Sequence, residues 1–207
     1  LSWENVRQQM IHLAKQEYEL TWNKGTIKEY DMQARIREYW QQGVYKEVSI
    51  PEYITIPGSA WSAAFISWIV TQAGGGDRFG KVHDESNYRN EFGNPAAHWR
   101  YTAPAKINRQ MNSASNPFWA FAINEVRPKE GDIVVKSRNG SGATWNDFIS
   151  KETHGDIVID VSSTDITVIG GNVSDTVKQN TFPLNDNGFV NSTGGENSHF
   201  AIVRINI

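Results

Sequence analysis

Cysteine is absent from this 207-residue chain. Disulfides, thiolate zinc sites and catalysis by a cysteine thiol are therefore excluded, while reducing and oxidising compartments both stay open. No apolar run approaches the ~20 residues that a membrane-crossing helix needs. Charge of one sign is scarce as well: 20 Lys and Arg stand against 23 Asp and Glu. Without a basic stripe or an Arg-rich run, nucleic acid is not an expected partner. Repeats and low-complexity tracts are missing too. The chain opens on Leu1-Ser2-Trp3 with neither an initiator Met nor a signal peptide, as a mature or excised form would.

What is present is apolar material for one sizeable core, with 39% of residues hydrophobic and 12% aromatic. Two halves differ in periodicity. Val6, Met10, Leu13 and Ala14 recur at helical spacing, and a second amphipathic stretch from Glu29 to Gln42 carries Ile36, Tyr39 and Trp40 on its apolar side. A third helix is predicted over Ala60 to Ala73, closed by Gly74-Gly75-Gly76 and apolar nearly all round, hence buried on several sides. Further helices are expected around Glu85 to Phe92 and Ala96 to Met111. From Gly131 onward the period becomes two. Strands are predicted at Asp132 to Val135, His154 to Val161, Asp165 to Ile169, Lys178 to Phe182 and Phe200 to Ile207. This pattern reads as α+β, with helices packed on an antiparallel sheet of about five to six strands. The N-terminal helices are expected to cover its edges.

Ser62 is the first residue that invites a chemical reading. It opens the buried helix, where unpaired backbone N–H groups and the positive end of the helix dipole favour a developing anion. Alone, such a serine would cap its own helix. His154, at the start of a strand, is a candidate base. Asn172, in Gly170-Gly171-Asn172, is a candidate to orient that imidazole. Asp156 is the alternative, because two residues apart on a strand it shares the face of His154. Trp61, Trp145 and His83 are candidate groove residues, since aromatic faces suit sugar rings and peptide stems. His83 with Asp84 and Glu85 cannot all face one ion from a regular element, so no metal or cofactor is expected. His98 and His199 read as structural or packing residues.

Four motifs in order resemble the CHAP and NlpC-type papain-like amidohydrolases, cell-wall peptidases and amidases with a Cys-His-polar triad. Their Trp-Cys-Ala-x-Phe-Val-x-Trp helix is matched by Trp61-Ser62-Ala63-Ala64-Phe65-Ile66-Ser67-Trp68. Their Gly-Asp strand is matched by Gly131-Asp132-Ile133-Val134, their His by His154 and their polar third residue by Asn172. Ile169-Gly170-Gly171-Asn172-Val173-Ser174-Asp175 is similar to a segment of a bacterial branch with Ser at the Cys position. The resemblance covers residues 57–207 and implies a papain-like hydrolase core there; the N-terminal helical part over 1–56 falls outside the shared motifs, and the chain is read as a single domain over 1–207. The resemblance also implies peptidoglycan as substrate, a secreted or periplasmic location, and hydrolysis of amide bonds by a Ser-His-Asn triad. A non-catalytic wall-binding module, or an antibacterial effector with an immunity or carrier protein as partner, are the other functions the resemblance allows.

The departure at the nucleophile has a chemical consequence. A thiol of pKa ~8.5 ionises readily beside an imidazole and a helix N-terminus. A hydroxyl does not, because a helix dipole contributes only about 0.3–2 kcal/mol. Ser62 must lose its proton to a base during attack. Three readings stay open: a natural nucleophile, a replaced cysteine, or a site that lost its chemistry and kept binding.

Overall fold

A computed structural model describes residues 2–46, 49–52, 58–83, 88–89, 92–192 and 197–207. Ser2 caps helix α1 (Trp3–Gln16) by accepting from the Asn5 N–H at 3.2 Å, and Val6, Met10, Ile11 and Ala14 are its buried stripe. The chain continues through a π-helical turn, Glu17–Thr21, into short 3-10 turns and helix α2 (Gln33–Gly43). Helix α3 (Ser62–Gln72) is buried from Ser62 through Val70, as its unbroken apolar run requires. A two-residue ladder, β1 (Val82–His83) with β2 (Tyr88–Arg89), precedes helix α4 (His98–Gln110).

Six strands follow: β3 (Phe118–Ala122), β4 (Ile133–Ser137), β5 (Thr153–Val161), β6 (Asp165–Gly170), β7 (Lys178–Pro183) and β8 (His199–Ile205). They form one antiparallel sheet in the order β3-β8-β4-β5-β6-β7. Alternation divides their side chains between two clusters. Ile133, Val135, Ile157 and Ile169 join the helices in the larger core, while Val134, Val158, Val168 and Ile202 form a smaller one on the other face. The larger cluster includes Val6, Met10, Trp22 and Tyr39, so the N-terminal helices share the core of the rest.

Three expectations need correction. Tyr88 and Arg89 are strand rather than helix, and residues 84–87, 90 and 91 lie outside the described residues. Strand β3 was not foreseen, because Phe-Trp-Ala-Phe-Ala is an apolar run that carries no period; it is identifiable by its pairing along β8. The sheet edges are not covered as expected either. Helices α1 and α3 rest on central β5, α4 lies along edge strand β3, and among the described residues it is the turn Asn23–Gly25, not an N-terminal α-helix, that packs against β7.

Candidate functional site

The N-terminus of α3 is fixed from a distance. Glu29, buried at the start of a 3-10 turn, accepts the Gly58 N–H at 2.6 Å and the Trp61 indole N–H at 2.8 Å. Trp61 is 1% exposed and stacks on Trp22 with ring centroids 5.1 Å apart. It is a core residue and not the groove wall expected of it, because its ring faces the N-terminal helices. Pro57, which leads into this turn, lies outside the described residues.

Held in this way, Ser62 does not cap its own helix; α3 has no side-chain cap. The Ser62 Oγ lies 2.7 Å from His98 Nε2, the first residue of α4. His98 Nδ1 in turn lies 2.6 Å from the Tyr101 hydroxyl, one helical turn on. Ser62 and His98 are 3% and 2% exposed, yet both line a cavity of about 450 Å³ together with Trp99, Arg138 and Asn172. The N-terminal residues of both helices, Ser62 and Ala63 from α3 and Ala97 and His98 at α4, border it.

No hydrogen bond joins His154 to Ser62 among the described residues. His154 Nε2 lies 2.8 Å from Asp156 Oδ1 instead, and its ring centroid is 5.5 Å from that of His98. The reason is strand alternation. His154 and Asp156 point to one side of β5, where they meet each other, and Gly155 opens the other side. A side chain at Gly155 would overlap the Tyr101 hydroxyl and His98 Nδ1, so α4 sits directly on bare backbone there. Gly170 is bare for a related reason, since any side chain on it would occupy the space of the Asp156 carboxylate.

Asn172 lines the cavity but orients neither ring. Its backbone is left-handed (φ 57°), and its side-chain amide donates to the Ser59 carbonyl at 3.4 Å. Trp145 borders a separate cavity of about 750 Å³ with His199 and Phe200, away from Ser62. His83 belongs to β1, its N–H donating to Asn108 Oδ1 at 3.0 Å, and it is not part of the Ser62 cavity. His199 packs edge-on against Phe182, with centroids 4.6 Å apart.

Electrostatics keep the His98 imidazole neutral. Burial pushes the His98 imidazole well below its ordinary 6.5, and His154 and Arg138 push the same way against the pull of Asp156. Burial, and then Asp156, raises the Tyr101 phenol well above 10, so it stays protonated. Burial pushes the Asp156 carboxyl up, but the adjacent His154, with Lys136 and His199, outweighs it and holds it at about 2. In the tautomer protonated on Nδ1, a neutral His98 can donate to the Tyr101 oxygen and present its Nε2 lone pair to the Ser62 hydroxyl.

His98, Tyr101 and Arg138 are the site residues that sequence reading missed. A histidine at a helix start with a tyrosine three residues on, on the same face, is the signal that could have found the first two.

The model of a bacterial family described as "Uncharacterized protein conserved in bacteria (DUF2272)" matches residues 48–202, and the chain belongs to that family. No curated protein and no solved structure matches it.

Proposed function

We propose that this DUF2272 protein is a serine hydrolase cleaving an amide bond of bacterial peptidoglycan, built on a papain-like variant of the α+β fold. The observation that carries the reading is the 2.7 Å contact between Ser62 Oγ and His98 Nε2 inside a cavity, where a merely structural serine would cap α3. In this reading the Ser62 oxygen attacks the amide carbonyl as its proton passes to His98 Nε2. The imidazolium then gives that proton to the leaving nitrogen, and water releases the acyl group by the same route in reverse. Unpaired N–H groups in the first turn of α3 are the donors for the oxyanion. Tyr101 orients His98, and the ionised Asp156 beyond His154 favours the transient imidazolium.

Peptidoglycan as substrate and the papain-like name rest on the four-motif resemblance. The test is digestion of purified sacculi followed by mass analysis of the soluble fragments. Muropeptides are expected from the wild type, and Ser62→Ala and His98→Ala should each release about 10²-fold less or lower still. Equal release by wild type and both variants overturns the mechanism. Binding to sacculi without new amine termini leaves a wall-binding module.

A further inference from the structure

Arg138 stands in the Ser62 cavity with no negative partner among the described residues. It follows strand β4 and is half-buried. Its guanidinium makes two long contacts, 3.5 Å to Ser62 Oγ and 3.4 Å to the Asn172 carbonyl. Neither contact carries charge, and no carboxylate pairs with Arg138 among the described residues. The acids that border the cavity are otherwise placed: Glu152 accepts from the Asn139 amide at 2.7 Å, and Asp175 is exposed at the rim. Lys151, the other cation, is paired with Asp147 at 2.6 Å.

A guanidinium has five N–H donors in a fixed fork that matches a carboxylate in two parallel bonds. A half-buried one engaged by only two weak, neutral contacts keeps most of that capacity unused. The surroundings favour an anion as well, since two helix N-termini border the same cavity. Arg138 reaches the nucleophile itself, so whatever it binds lies within a residue of the bond attacked.

We infer that Arg138 is a specificity determinant that anchors a free carboxylate on the substrate, on the residue next to the scissile amide. The inference deepens the hydrolase reading and rests on it for the substrate, but not for the anion. Uncharged or fully amidated peptides are then poor ligands of the same cavity. The competing role for this side chain is donation to the oxyanion. The two roles part in the kinetics: an anchor is felt only by carboxylate substrates, an oxyanion donor by every substrate through kcat.

The experiment has a binding arm and a kinetic arm. Calorimetry on the whole 207-residue chain with Ser62→Ala compares an acetylated stem tetrapeptide having free α-carboxylates with the same peptide fully amidated. The expected preference for the carboxylate form is about ten- to hundred-fold, the range of a charged hydrogen-bonded pair. Adding Arg138→Gln should abolish the preference, and Arg138→Lys should keep part of it, with unfolding temperature as the control for folding. In the kinetic arm, Arg138→Gln in the otherwise native protein should raise KM for the carboxylate peptide at least about tenfold more than for the amidated one, whatever common change in kcat follows from its contact with Ser62. Equal binding of both peptides by the Ser62→Ala protein overturns the inference. So does a uniform loss of kcat on both peptides with no such difference in KM, which makes Arg138 an oxyanion donor and leaves the hydrolase reading standing. A carboxylate preference that depends on Arg138, in a protein that cleaves no sacculi, upholds the anchor and removes the hydrolase.

Discussion

In the proposed hydrolysis, a base that stays uncharged inside the fold sets the acid limit of the reaction. His98 is held well below 6.5 by burial, with His154 and Arg138 adding to it. Its Nε2 lone pair is therefore present in solutions where an exposed imidazole would already be protonated. The acid limb of kcat/KM is expected below pH 6.5, and a limb at or above that value counts against His98 as base. The same argument distinguishes the two imidazoles at the site. His98→Ala should remove the limb together with about 10²–10⁴ of the rate. His154→Ala, which withdraws a neighbour that pushes the His98 imidazole down, should shift the limb and leave a measurable rate.

Among the elements, strand β5 does most to position the site, because α3 and α4 both rest on it. Gly155 is the point of closest approach. Gly155→Ala would drive a methyl group into the Tyr101 hydroxyl and His98 Nδ1, and these side chains, or the helix carrying them, must shift. Loss of most activity is expected, with Ser62 and His98 both still present and the circular dichroism of the helices unchanged. An active Gly155→Ala protein would show that the Ser62–His98 contact is not needed.

The same strand shows what a sequence makes legible. Helix α3 was readable because eleven residues without a charge have only one place to go. The hairpin of β5 and β6 was readable from its period of two, and the pairing of Asp156 with His154 from their spacing. Which imidazole meets Ser62 was not readable. That depends on how α4 docks against a bare stretch of β5, a tertiary fact about residues 57 positions apart from one another in the case of Gly155 and His98. Trp61 was misplaced for a similar reason: its partners Trp22 and Glu29 come from helical segments that the motifs do not include.

At the scale of the whole molecule, the buried histidines make the fold sensitive to acid. Burial pushes His199 down to about 4, against the pull of Asp156. An unfolded histidine titrates near 6.5. Between those values the unfolded chain takes up a proton that the folded one refuses, so stability falls as pH drops from about 6.5 to about 4. His98 acts in the same direction. Asp156 acts at lower pH: its contribution is whole above about 4 and is lost as pH falls towards about 2. Thermal unfolding from pH 7 to pH 4 should show a steady decline in Tm, flattened by His199→Gln. An unchanged slope in that variant would assign the acid sensitivity elsewhere.

Ser62 and His98 sit on two helices that each lean on β5 and bear on each other chiefly through it. No ladder or covalent link ties the Ser62 oxygen to the His98 ring, so in the proposed mechanism their encounter exists only while side chains interlock tightly. Turnover is then a finer gauge of tertiary order than any spectroscopic measure of helix content. In mild urea the protein should fall catalytically silent while its far-ultraviolet spectrum is still that of the native state.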